Sequence, residues 1–270
     1  MESGKKYVLA AAILAFVVPL YVLFSPLIFV VFGQEEYPRD QTIIFPTSTR
    51  AAFDNWNQYA AAFENWGVGW GAYAAEPLFW NNVDNGTILP ILATGYEMSP
   101  DAKTYTIHIR DDVYWNDGTK WGMDDIVYTF DALSRFEGLR WHGWYVTNIE
   151  KVERIDDLTF KITLKEPNAH FIDSEFSAIV YGVGGSEFYV LPKHVYEKYD
   201  DPATAENKEH VWTGPYNLIR NEADLAIWER RDDYWGTAAP GWKPGPKYVI
   251  FKNVGTTEEA LMALSKGDID

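Results

Sequence analysis

Hydrophobic and polar positions change their period several times along the chain, and each change predicts an element. Residues 7–32 carry no charge, behind Lys5 and Lys6 and ahead of Glu35 and Glu36. The run exceeds the roughly 7–15 residues of a secretory apolar core and reaches the roughly 20 of a membrane span. Pro19 and Pro26 interrupt it, which a membrane helix tolerates better than a soluble one. The lysines before it and the acids after it orient the body outward. A cleaved signal and a retained anchor both fit this pattern, and both export the protein.

Beyond it, Pro38, Pro46 and a Thr/Ser cluster describe a tether over residues 34–50 that leads into a first strand near Thr42. Residues 51–82 are aromatic and rich in Ala, Asn and Gly, with Gly67, Gly69 and Gly71 breaking any long helix into short turns. From Tyr105 to Arg110 apolar and polar residues alternate with period two, the mark of a half-buried strand. Asn116-Asp117-Gly118 is a turn signal. Ile126, Phe130 and Leu133 then recur at helical spacing behind Asp124 and Asp125, predicting a helix over 123–134.

A hairpin is predicted from 152–155 and 158–164 around Asp156-Asp157, with Phe160, Ile162 and Leu164 on one face. A short helix should follow Pro192, and 200–210 reads as a polar surface loop. Strands are expected at 216–220, 226–229 and 247–252. Thr256 and Glu259 form a capping-box pattern ahead of Ala260, Leu261 and Leu264, with Gly267 as the stop. Strands separated by helices and hairpins predict a mixed α/β fold.

Charge and composition narrow the function. The formal charge is −16, and without residues 1–33 the exported body is more acidic still. Nucleic acid is therefore a poor partner, as is an anionic membrane surface. The absence of cysteine excludes disulfides, thiolate metal sites, cysteine nucleophiles and a lipidated N-terminal cysteine. Five histidines show no ligand spacing, so no metal and no cofactor is expected. No GxSxG elbow and no phosphate loop is present. The adjacent acid pairs, Asp111-Asp112 and Asp232-Asp233 among them, read as turn and cap chemistry, because neighbours on a strand face opposite ways. Nothing here demands catalysis.

What stands out is twelve tryptophans. Trp56, Trp66, Trp70 and Trp80 fall in one stretch, interleaved with Asn55, Asn57, Gln58, Asn65, Asn81 and Asn82. Flat indoles suit the faces of a sugar ring and amides suit paired hydroxyls, although the same residues could fill a core.

Several strings, taken in order, resemble one family. Glu76-Pro77-Leu78, residues 90–97, Trp115-Asn116-Asp117-Gly118-Thr119, residues 123–128, Leu191-Pro192-Lys193-His194-Val195, Thr213-Gly214-Pro215-Tyr216, Asp233-Tyr234-Trp235-Gly236 and Gly267-Asp268-Ile269-Asp270 resemble landmarks of the extracytoplasmic solute-binding proteins of family 5. These are the peptide, oligosaccharide and nickel receptors of ABC importers, and the likeness runs over about residues 42–270. It implies a bilobed fold of the periplasmic-binding-protein type II kind that closes on its ligand about a hinge. It also implies that residues 51–270 make up most of the first lobe, with its inserted subdomain, and that the second lobe would lie after Asp270.

On this reading the protein is not an enzyme. It captures an oligosaccharide of the cello-oligosaccharide kind, or an oligopeptide, outside the cytoplasm and hands it to ABC permease subunits. The N-terminal segment would hold it at the membrane. The expected ligand residues are Asn55, Trp56, Asn57, Trp66, Trp70, Trp212 and Thr213, the last two because the family's TGPY turn lies near the lobe boundary. A secreted glycoside-active enzyme is the alternative from another class, and it would need two spaced carboxylates in one cleft.

Overall fold

The structure is a computed structural model that describes residues 37–47, 54–61, 68–82, 84–179, 188–238 and 245–270. The predicted anchor (7–32) and Trp66 lie outside the described residues. Among the described residues, no helix is long and apolar enough to cross a membrane. The chain divides into two units, Met1–Thr42 and Ile43–Asp270. In the first, Pro38 precedes a single 3₁₀ turn, Arg39–Gln41, and the Thr42 hydroxyl donates to the Pro38 carbonyl over 2.7 Å.

The second unit is mixed α/β, as predicted. Strand β1 (Thr42–Thr47) enters it from its first residue, Ile43, and is followed by a one-turn helix α1 (Trp70–Tyr73), then β2 (Phe79–Asn82), β3 (Thr87–Pro90), β4 (Ala93–Met98) and β5 (Thr104–Ile109). Helices α2 (Met123–Arg135) and α3 (His142–Asn148) lead into the hairpin β6 (Ile149–Arg154) and β7 (Thr159–Leu164). A short β8 (Ala178–Ile179), helix α4 (Lys193–Tyr196), β9 (Tyr216–Asn221), β10 (Leu225–Arg230), β11 (Tyr248–Asn253) and helix α5 (Thr257–Lys266) complete it.

The strands form three sheets, in the orders β1-β11-β10-β9, β3-β2-β8 and β4-β5-β7-β6. Strict alternation explains the third. Tyr105, Ile107 and Ile109 of β5 are buried, as are Phe160, Ile162 and Leu164 of β7. The register sets Tyr105 opposite Ile162 and Ile107 opposite Phe160, so both apolar rows share one face. Helix α2 covers that face with Ile126, Phe130 and Leu133, all buried; Phe130 stacks on Phe188 with centroids 4.8 Å apart. Asp125 starts this helix by accepting from the Gly122 amide at 3.0 Å. At Gly118 the predicted turn takes φ +87°, a left-handed conformation that glycine adopts without strain.

The capping box of α5 is present: Thr256 Oγ1 accepts from the Glu259 amide, and the Glu259 carboxylate accepts from the Thr256 amide. Leu261, Met262 and Leu264 on this helix are exposed.

Two expectations need correction. The 200–210 segment is not a surface loop throughout, because Pro202, Ala205 and Asn207 are buried. Its carbonyls at Pro202 and Ala205 both accept from the Asn57 side-chain amide, each at 2.9 Å, and that draws the backbone inward. Residues 79–82, expected as turns and loop, are strand β2, which pairs antiparallel with β3 and parallel with β8. The Asn81 side chain helps seat it by donating to the Asp173 carbonyl at 2.6 Å.

Candidate functional site

The aromatic stretch becomes an interior. Trp56 makes edge contacts with Trp212 at 5.6 Å and Trp228 at 6.1 Å, and with His210 at 5.2 Å. Trp70 meets Tyr189 at 4.8 Å, also edge to face. Such T-shaped pairs set the positive ring edge against the negative face of the neighbour. Together with Val249, Ala226 and Tyr216, these rings form a core under the β1-β11-β10-β9 sheet.

Of the residues expected at the ligand, Trp56 and Asn57 are 0% exposed, Trp70 1%, Thr213 2% and Trp212 4%. Asn55 is half-buried, and its side-chain oxygen accepts from the Asn57 amide at 3.0 Å. The structure brings Trp56, Trp212 and the Trp70 helix into one cluster, where the indoles pack edge to face in the interior rather than turning outward. Asn57 spends its amide on the 200–205 carbonyls and its oxygen on the Tyr59 amide. The indole N–H groups of Trp56 and Trp212 are buried with no hydrogen-bond partner among the described residues. Trp212 also lines a cavity of about 20 Å³ beside Gln58 and Thr213, room for a single water.

Three of the landmark strings meet at Glu76, which sequence reasoning did not single out. Its carboxylate accepts from the Tyr234 hydroxyl on one oxygen and from the Trp235 indole N–H, at 2.9 Å, on the other. Burial pushes Glu76 up to about 7, while the hydrogen bonds from Tyr234, Trp235 and Thr213 and the charge of Arg231 pull the other way. Burial together with the Glu76 charge also drives Tyr234 far upward.

Arg231, 1% exposed in its side chain, donates to the carbonyls of Thr213 at 3.2 Å and Gly214 at 3.1 Å and pairs with Asp233 at 3.0 Å. Gly214 sits so close to the Ala74 carbonyl that a Cβ there would approach the oxygen to 2.3 Å, which only glycine avoids. Arg110, from the end of β5, lays its guanidinium over the Trp235 ring at 4.4 Å.

The NDG turn is tied to the same region. Asn116 exchanges hydrogen bonds with the Trp212 backbone, at 2.9 and 3.1 Å, and its side-chain amide reaches the His210 carbonyl. His194 of the Lys193-His194 string pairs with Asp117 at 2.7 Å. Asp125 accepts from the Lys193 amide and the Trp115 indole. Of the acid pairs, Asp156 accepts from the Leu158 amide and Asp201 from the Ala203 amide, the turn and cap chemistry expected, whereas Asp112 pairs with the Arg110 guanidinium. Among the described residues no His, Asp and Glu cluster is arranged to hold a metal ion. The arrangement is a braced scaffold.

The profile of the bacterial extracellular solute-binding proteins, family 5 (middle region), matches residues 87–270. The chain belongs to this family. It is 28% identical over 177 residues to the dipeptide-binding protein of Escherichia coli K12, an alignment covering 56% of this chain and 30% of that protein.

In fold it is similar to a periplasmic oligopeptide-binding protein of Thermotoga maritima, with a TM-score of 0.73 at 22% identity over 87% of this chain and 42% of the other. A mannohexaose-bound structure described under the same name gives a TM-score of 0.71 at 23% identity, over 87% and 41%. The chain thus spans less than half the length of these relatives. The type II binding-protein architecture is that of its structural neighbours.

Proposed function

We propose that the chain is the greater part of the first lobe of an extracytoplasmic receptor that captures an oligopeptide and delivers it to the permease of an ABC importer. Capture is non-covalent, and residues 7–32 keep the receptor at the membrane. The observation that carries the choice of ligand is the burial of Trp56, Trp70 and Trp212 against one another and their neighbours. The tryptophan excess is largely used by the core, so it no longer argues for sugar stacking. The dipeptide-binding relative supports the same reading. We assign Asn55, Trp56, Asn57, Trp70, Trp212 and Thr213 to the rigid floor beneath the ligand, whose position they fix without stacking on it.

An oligosaccharide is the second reading, favoured by the mannohexaose bound in the structural neighbour. Calorimetric titration of the exported protein with a tetrapeptide set, with cello-oligosaccharides and with mannohexaose separates the two. Micromolar binding of peptides and no heat with either sugar is the expected result. Sugar binding without peptide binding overturns the peptide assignment, and hydrolysis of any oligosaccharide overturns the receptor.

A further inference from the structure

Glu76 also lines a second cavity, of about 310 Å³, together with Trp80, Ile91, Arg110, Pro215, Tyr234 and Trp235 among others. Its size falls at the lower end of small-molecule sites, roughly 300–1,000 Å³. Its walls are apolar and aromatic with few polar groups, the composition of a site that holds a compact apolar body and orients it at one point.

Arg110 supplies that point. Asp112 takes the guanidinium through Nε at 2.8 Å and Nη2 at 2.7 Å, which leaves the Nη1 donors without a partner among the described residues. The side chain is 29% exposed, so these donors act in a partly dried setting where a charge-assisted bond is strong. A cation has no comparable foothold. Both oxygens of Glu76 are already engaged, and the Trp235 face is covered by the guanidinium. Nor is the wall that of a sugar site, since Trp80, Ile91, Pro90 and Pro215 present few groups to hydroxyls.

We propose that this cavity binds a carboxylate joined to a compact apolar group, the carboxylate on Nη1 of Arg110 and the apolar group against Trp80, Ile91, Pro90 and Pro215. Two sources share this chemistry, the C-terminal residue of a peptide and a free amphipathic acid. The incoming charge lies near Glu76, whose surroundings are Tyr234, Trp235, Thr213, Arg231 and Arg110, with Asp112 behind Arg110. Glu76 relieves the repulsion by taking a proton, which binding therefore favours.

Calorimetry of the full chain with N-acetyl-leucine, against N-acetyl-leucinamide, tests the site without requiring the receptor reading, because neither compound is a peptide to be transported. The acid should bind roughly tenfold more tightly than the amide, the scale of one charge-assisted hydrogen bond. Its affinity should rise from about pH 8 to about pH 6. Arg110→Gln should remove the preference for the acid. Ile91→Trp, which fills the cavity, should abolish binding with circular dichroism and melting unchanged, and it serves if Arg110→Gln does not fold. Displacement of N-acetyl-leucine by Ala-Ala-Leu assigns the site to a peptide C-terminus; simultaneous binding of both assigns it to free acids. Equal binding of acid and amide, an affinity that does not change with pH, or full binding by Ile91→Trp overturns the proposal.

Discussion

Trp235 donates its indole N–H to Glu76 across 2.9 Å, joining positions 159 residues apart in the chain. With the Tyr234 hydroxyl on the other oxygen, the carboxylate is held at both ends in a buried place. Its proton affinity is therefore a stability term. Glu76 titrates at about 7 in the folded chain against an ordinary value of 4.5. Between those limits the folded state holds more protons than the unfolded state. The contribution of Glu76 to stability therefore falls as pH rises, by about 1.4 kcal/mol per pH unit, and is level on either side. Urea unfolding of wild type and Glu76→Gln across this range should show the wild type losing ground to the variant from about 4.5 to about 7. A constant difference between the two would refute the assignment.

Arg231 braces the same corner from beneath. Its side chain is 1% exposed while its partner Asp233 is 71% exposed, so the carbonyls of Thr213 and Gly214 are the contacts that matter most. Arg231→Met should cost about 2–3 kcal/mol by leaving those carbonyls short of donors. Arg231→Lys should recover less than half of it, since an ammonium cannot reproduce the fork. Chemical denaturation of the three proteins measures both numbers. Full rescue by lysine would show that charge alone is at work.

Much of this fold was legible in the residues, and the reasons for what was not are physical. Strands β5 and β7 have one buried face and one partly exposed face, so Tyr105 to Ile109 and Phe160 to Leu164 announce themselves by alternation. The Thr256–Glu259 box is local chemistry and is read within four residues. Strand β2 carries Asn81 and Asn82, which break the alternation, and its pairing with β8 is set from far along the chain. The burial of Pro202 and Ala205 depends on an amide at Asn57, about half the chain away, which local polarity cannot foresee. The convergence at Glu76 was hidden for the same reason. Each string was visible, but that Glu76, Thr213, Arg231 and Trp235 share one corner is a property of the tertiary fold.

Gly214 offers a direct test of how tightly that corner is closed. A Cβ at this position would lie 2.3 Å from the Ala74 carbonyl oxygen and 2.6 Å from that of Tyr73, both backbone atoms that cannot rotate away. The Gly214 amide also donates to the Ala74 carbonyl at 2.8 Å. Gly214→Ala should therefore destabilise by about 3 kcal/mol or more. Gly95→Ala on strand β4, where nothing lies within 4 Å of the added carbon, should change stability by less than about 0.5 kcal/mol. Thermal melting of both variants provides the comparison, and similar losses in the two would contradict the close approach.

The tryptophan cluster separates a packing role from a hydrogen-bonding one. Trp228 donates its indole N–H to the Val68 carbonyl at 2.7 Å, whereas the N–H of Trp212 is buried with no partner among the described residues. Replacing either by Phe removes a similar volume from the same core. Trp228→Phe in addition leaves the Val68 carbonyl without its donor, which costs about 1–3 kcal/mol, whereas Trp212→Phe relieves a buried unmet donor. Trp228→Phe should thus unfold at distinctly lower urea than Trp212→Phe. Peptide affinity should be unchanged in Trp212→Phe if Trp212 belongs to the floor beneath the ligand. A Trp212→Phe protein that is as stable as wild type yet binds peptide many times more weakly would move Trp212 from the floor to the ligand surface.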